Sequence, residues 1–241
     1  MVVTSLFDYT TKTNNHLAKF IWFYDNASPH TRGHDTSVER ISDEHAEKLV
    51  GYDTAMEVRT RNHLHSHFCT MNISDRENAD IQHLHLASFP PPYQRISPFG
   101  QRTRTLQAFD LETKEFVFVK DYWRVVAAGM EKEGDIYSRL EQHNVPNIAP
   151  FGNGNDVRCS VWSKGSKKLV KKLVLKPVQT RNEVCPKDKI KSHKRLEKWT
   201  LYRMSLKVIG DGLEKFESTK QLVTAIADAM EGESLNHFYQ F

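Results

Sequence analysis

Phe116-Val117-Phe118-Val119-Lys120 is an alternating apolar stretch that ends on a lysine, and Glu133 follows it in the run Glu131-Lys132-Glu133-Gly134-Asp135-Ile136-Tyr137-Ser138-Arg139-Leu140. Alternate residues of a strand share a face, so Lys120 stands on the same side as Phe118 and Phe116. The run after it reads as a helix over 128–142, with Met130, Ile136, Tyr137 and Leu140 as its apolar stripe and Val145-Pro146 as its stop. Glu133 borders that stripe, because Ile136 and Tyr137 follow at +3 and +4. A carboxylate so placed holds a strand ammonium in position and keeps it charged, and the ammonium then reaches phosphate oxygens from a rigid base. The same spacing also suits an ordinary edge-strand lysine and a solvated helix glutamate, a common pairing in strand–helix units.

Working outward, Leu106-Gln107-Ala108-Phe109-Asp110 and the Phe116 stretch flank the polar turn Leu111-Glu112-Thr113-Lys114-Glu115, which predicts a hairpin. Upstream, 14–25 reads as an amphipathic helix with Leu17, Phe20, Ile21 and Tyr24 on one stripe and Asn14 as N-cap. A second helix over 42–50 takes Ser42 as its cap and carries Asp43 and Glu44 in its first turn. His63 to Cys69 and Ile81 to Leu86 alternate as short strands, and Phe89-Pro90-Pro91-Pro92-Tyr93 is a stiff extended linker. Downstream, Gly152-Asn153-Gly154-Asn155-Asp156 reads as a turn, with strands over 157–162 and 202–209. Gly210-Asp211-Gly212 ends the second of these. Ser218 with Gln221 forms a capping box before a helix over 219–230, whose Leu222, Val223, Ile226 and Ala229 make an apolar stripe that needs a cover.

Net charge is +4, unevenly placed: 164–198 holds thirteen Lys and Arg against three Asp and Glu, or +10, which leaves −6 for the rest. As a nucleic-acid or acidic-surface patch this stretch would bind with steep salt dependence. It contains no aromatic residue, with only Trp162 and Trp199 beside it, so stacking platforms are lacking and a solvated, mobile insertion is the default. Lys167-Lys168-Leu169-Val170-Lys171-Lys172 also fits a nuclear import signal. No membrane span and no secretory start are read, and three scattered cysteines (Cys69, Cys159, Cys185) make no disulfide framework. The expectation is an intracellular protein, cytoplasmic or nuclear. His63, His65, His67 and Cys69 share one strand face and His83 and His85 another; pairing of those strands would bring them toward zinc, but solvated or hydrogen-bonded histidines are the default and no metal site is assigned.

Ser97-Pro98-Phe99-Gly100-Gln101-Arg102-Thr103-Arg104-Thr105-Leu106, then Val119-Lys120-Asp121-Tyr122-Trp123-Arg124, then Glu133-Gly134-Asp135-Ile136-Tyr137, resemble in order the segments of the fungal-type protein kinase family. Val145-Pro146-Asn147-Ile148, Gly154-Asn155-Asp156-Val157 and the segment from Val208 to Met230 fit as well, as do Leu17-Ala18-Lys19-Phe20-Ile21-Trp22 and Arg32-Gly33-His34-Asp35-Thr36-Ser37-Val38 upstream. The resemblance implies an α+β chain: a helical leader region over 1–93, a kinase-like N-lobe of antiparallel sheet plus αC helix over 94–209 with a basic insertion at 164–198, and a hinge with only the start of a C-lobe over 210–241.

It also implies ATP as ligand, with Lys120 as the phosphate lysine, Glu133 as its helix partner, Gly100, Arg102 and Thr103 in the phosphate loop, and Val208 and Ile209 in the hinge beside adenine. Three departures bear on activity. The loop has one glycine, Gly100; Phe118 stands where the family pattern has a small residue and would narrow an adenine slot; and the His-Arg-Asp loop and the magnesium ligands that follow in the family are not among these residues. The expectation is a truncated homologue that holds no magnesium and transfers no phosphate alone. The rival is a non-catalytic binding or scaffold module, or a gene-model fragment, whose basic insertion contacts an unknown protein partner.

Overall fold

The hairpin read from the sequence lies in the middle of a seven-stranded sheet. The computed structural model describes residues 16–27, 32, 35–62, 66–89, 103–163, 172–179, 198–210 and 215–238. In chain order the elements are α1 (His16–Asn26), β1 (Val38–Arg40), α2 (Asp43–Val50), α3 (Tyr52–Asn62), β2 (His67–Ser74), β3 (Gln82–Phe89), β4 (Arg104–Asp110), β5 (Phe116–Val126), α4 (Glu133–Gln142), β6 (Phe151–Asp156), β7 (Arg158–Ser163), β8 (Lys172–Pro177), β9 (Lys198–Leu206) and α5 (Thr219–Phe238). The sheet runs β1-β2-β3-β4-β5-β9-β6, every pair antiparallel, and β7 with β8 forms a separate ribbon. The fold is therefore α+β. Among the described residues no helix is long and apolar enough to cross a membrane.

The chain divides into two units, Met1–Thr36 and Ser37–Phe241. In the first, α1 stacks Phe20 on Tyr24, their ring centroids 6.2 Å apart, and Asn26 Nδ2 donates to the Trp22 carbonyl at 2.8 Å. In the second, β1, β2 and β3 belong to the same sheet as β4, β5, β9 and β6, so the sheet runs unbroken across the boundary expected at 93.

Alternation gives each strand an inner and an outer face. Cys69, Met71, Ile73, Ala87, Leu106, Ala108, Val117 and Val119 pack together on the inner one. The sheet curls around them until β2 meets β9 and β6: an Arg203 Nη donates to the Asn72 carbonyl at 3.0 Å, and Asn155 Nδ2 to the Asp75 carbonyl at 3.1 Å. The outer face carries the helices. Ala46, Ala55 and Val58 of α2 and α3 cover Phe68, Leu86 and Phe109, with Phe116 at the edge of that cluster. Phe151, Tyr202 and Met204, with Tyr122 and Tyr137, form a second outer cluster under α4. Phe116, Phe118, Lys120 and Tyr122 alternate along this outer face, so Lys120 lies on the stretch of β5 between the two helical covers.

Several expected boundaries move. β5 does not stop at Lys120 but continues to Val126, because Tyr122 to Val126 pair with the start of β9. Residues 128–132 are not helical: Gly129, at φ 81°, interrupts the chain, α4 begins at Glu133, and Met130 of the expected stripe is exposed. Gly152 to Asp156 is not a turn but strand β6, bulged between Phe151 and Gly154, and it exists because β9 pairs with it. Helix α3 was not anticipated; it buries only Ala55 and Val58, too narrow a stripe to read. Part of the expected mobile insertion is ordered, since β8 pairs with β7, and Val178 is buried beside Val157, Cys159 and Leu201. The lysine-rich segments 164–171 and 180–197 and the linker at 90–93 lie outside the described residues. β9 ends at Leu206, so Val208 and Ile209 follow the strand rather than close it. Helix α5 runs on past Met230, and of its expected stripe Leu222 is half-buried while Val223, Ile226 and Ala229 are exposed.

Candidate phosphate-gripping site

β5 is a central strand, and the register sets Lys120 between Thr105 of β4 and Met204 of β9. Its side chain leaves the outer face beside the first turn of α4. There Lys120 Nζ donates to both oxygens of Glu133, at 2.7 Å to Oε1 and 2.8 Å to Oε2. The lysine side chain is 30% exposed and the glutamate 24%, so the pair is half-shielded yet reachable by a ligand. An ammonium has three N–H donors; the two bonds to Glu133 leave capacity for one more acceptor.

Aromatic rings frame the pair. The ammonium lies 5.1 Å from the ring centroid of Tyr122, the next outward residue on β5, an attractive cation–π distance. The Tyr122 phenol is held well above its usual range, first by burial, then by the charge of Glu133 and the hydrogen bond between them. Tyr137, one turn along α4, is pushed up by burial and by the same carboxylate. Glu133 therefore meets the lysine and a neutral phenol together. It also stands at the helix N-terminus, where a negative charge is favoured by the backbone dipoles.

The start of α4 is fixed from three sides. Lys132 Nζ donates to Asn155 Oδ1 of β6 at 2.7 Å. The Gly134 N–H donates to the Tyr202 hydroxyl of β9 at 3.0 Å. Arg139 closes a two-point ion pair with Glu131, both contacts 2.6 Å. On β5, Arg124 makes a similar fork to Asp156 of β6, with both bonds 2.7 Å.

Behind Lys120, on the inner face, is an ion network that sequence reading missed. Asp121 is buried and accepts from an Arg203 Nη at 3.1 Å and from Arg104. Arg203 also donates to Ser37 Oγ at 2.9 Å. The signal was present: alternation sends Asp121 to the inside, where a carboxylate requires a cation, and Arg203 interrupts the otherwise uncharged run Trp199 to Leu206.

The other expected site residues lie just beyond strand ends or outside the described residues. Thr103 is described and exposed, just before β4; Gly100 and Arg102 lie outside the described residues. Val208 is exposed and Ile209 half-buried, both after β9. Of the expected residues the structure brings together Lys120 and Glu133. Two surface clefts lie elsewhere: one of about 430 Å³ bordered by Arg76, Asp80, Lys132 and Arg158, and one on α5 bordered by Gln221 and Asp228.

The histidines do not converge either. Register sets Phe89 opposite His67 and Ala87 opposite Cys69, while His83 and His85 face Ile73 and Met71. His63 and His65 lie outside the described residues. Among the described residues no three His, Cys, Asp or Glu side chains are grouped to hold a metal ion.

A family model described as fungal protein kinase matches residues 10–237. No curated protein and no solved structure matches the chain.

Proposed function

Since the chain belongs to the fungal protein kinase family, we propose that Lys120, held by Glu133, grips phosphate oxygens of ATP, and that these 241 residues bind the nucleotide without transferring its phosphate by themselves. The two-point contact between Lys120 Nζ and the Glu133 carboxylate carries the reading. A lysine fixed from behind by a carboxylate and still partly exposed presents a charged, oriented donor, which is what a polyphosphate needs. By the family resemblance Thr103, just before β4, would border the phosphates, and Val208 and Ile209, just after β9, the base. Phe118, one alternation before Lys120 on the same face, restricts the base to a narrow slot.

Phosphoryl transfer is positioning plus charge neutralisation, much of the latter by magnesium. Neither His-Arg-Asp nor Asp-Phe-Gly occurs in the sequence. A second reading, a binding module without nucleotide, draws on the exposed Val223, Ile226 and Met230 of α5. Displacement of a fluorescent nucleotide by ATP separates the two: the proposal expects displacement that Lys120→Met weakens by about tenfold, roughly 1.4 kcal/mol. A labelled-phosphate transfer assay with the same protein is expected to show no incorporation. Magnesium-dependent incorporation abolished by Lys120→Met would make these residues an enzyme, and ATP that displaces nothing would favour the binding module.

A further inference from the structure

Gly134 follows Glu133 in the first turn of α4, and it is buried. Its backbone is outside the left-handed region, so no turn geometry asks for glycine here. Helix propensity alone would favour alanine. Space explains the glycine instead: a Cβ at this position would lie 2.5 Å from the Tyr202 hydroxyl and 2.7 Å from Phe151 Cζ.

Neither neighbour has room to retreat. Tyr202 is 0% and Phe151 4% exposed. Tyr202 leans on Tyr122 with ring centroids 5.5 Å apart, and Phe151 stacks on Tyr137 at 5.8 Å. The first turn of α4 thus sits directly on β9 and β6. It is tied there by the Gly134 N–H bond to the Tyr202 hydroxyl, one residue from the carboxylate that meets Lys120.

We propose that Gly134 and Tyr202 are positioning residues: their contact sets the first turn of α4 where the Glu133 carboxylate reaches Lys120, and any side chain at 134 lifts that turn and parts the pair. The functional consequence rests on the nucleotide reading above; the geometric claim does not.

The test is a double-mutant cycle on the full chain, free of nucleotide, with Lys120→Met and Glu133→Gln made singly and together and each variant unfolded in urea. A favourable coupling is expected in the parent and its loss in a Gly134→Ala background. Adding Tyr202→Phe and Phe151→Leu, which open the space but remove the hydroxyl tie, is expected to bring it back only to the level of Tyr202→Phe alone. Gly134→Ala is also expected to lower the melting temperature, whereas a residue serving only the helix would raise it. If Gly134→Ala does not fold, Tyr202→Phe alone, which removes only the hydroxyl, is expected to weaken the coupling. A coupling absent from the parent, or unchanged by Gly134→Ala and by Tyr202→Phe, overturns the proposal. ATP affinity across the same variants is read separately: no binding by the parent sinks the nucleotide reading, and the cycle still decides the positioning.

Discussion

Lys120 and Asp121 are neighbours on β5, yet they point to opposite faces and are matched by opposite charges there, Glu133 outside and Arg203 inside. The two pairs differ in burial and so in consequence. Asp121 and Arg203 are 2% and 1% exposed at the side chain, whereas the Lys120 pair is partly solvated. Removing one partner of a buried pair leaves an uncompensated charge, so Asp121→Ala is expected to cost about 3–5 kcal/mol in urea unfolding. A loss of a few tenths would show that Arg203 is satisfied without the carboxylate. His85 gives a pH effect. It is 1% exposed, its Nδ1 bonds the His83 carbonyl at 3.0 Å, and burial lowers its pKa against the opposing pull of Asp110 and of that carbonyl bond, with the charges of His83 and Arg203 lowering it further. The unfolded chain then takes up the proton first as pH falls through the ordinary histidine value of about 6.5, so this stability is present above that pH and lost below it. Urea midpoints between pH 8 and pH 5 are expected to fall less steeply in His85→Gln than in the parent; parallel curves would remove His85 as a cause.

Among the elements, those announced by local chemistry were legible and those made by distant pairing were not. Ser42 caps α2, accepting from the His45 N–H at 3.2 Å. Ser218 accepts from the Gln221 N–H at 3.2 Å, although Gln221 returns its own bond to the Glu217 N–H rather than to Ser218. The β4–β5 hairpin follows its alternation. Gly152-Asn153-Gly154-Asn155-Asp156 has turn composition in the sequence; the segment becomes strand β6 through β9, which stands far along the chain. The site divides the same way. Lys120 and Glu133 are legible from one strand and the helix after it, while Tyr202 and Gly134 meet only once β9 is in register beside β5. Gly154 tests the β6 assignment: a Cβ there would lie 2.6 Å from Met204 Cβ and 3.0 Å from Met204 Cα. Gly154→Ala is expected to destabilise by about 1–3 kcal/mol through overpacking. An unchanged urea midpoint would mean that β6 and β9 are not so closely joined.

On the scale of the molecule, polar and apolar surfaces are unevenly covered. The sheet around Lys120 is packed inside and carries helices outside, but α5 leaves Val223, Ile226 and Met230 45–65% exposed at i, i+3 and i+7. Contiguous apolar surface of this kind drives association. Sedimentation velocity is expected to show concentration-dependent self-association that Val223→Lys with Met230→Lys reduces; a monomer at every concentration in the parent would show that the stripe is harmless in water. Membership of the fungal protein kinase family and the half-exposed lysine converge on one claim, that Lys120 with Glu133 is a grip for phosphate. Calorimetric titration of the parent and of Glu133→Gln with ATP and with adenosine measures it, because only ATP offers phosphates to the pair. The account predicts that Glu133→Gln weakens ATP by about tenfold and leaves adenosine unchanged; an ATP affinity indifferent to Glu133, or equal losses for both ligands, would contradict it.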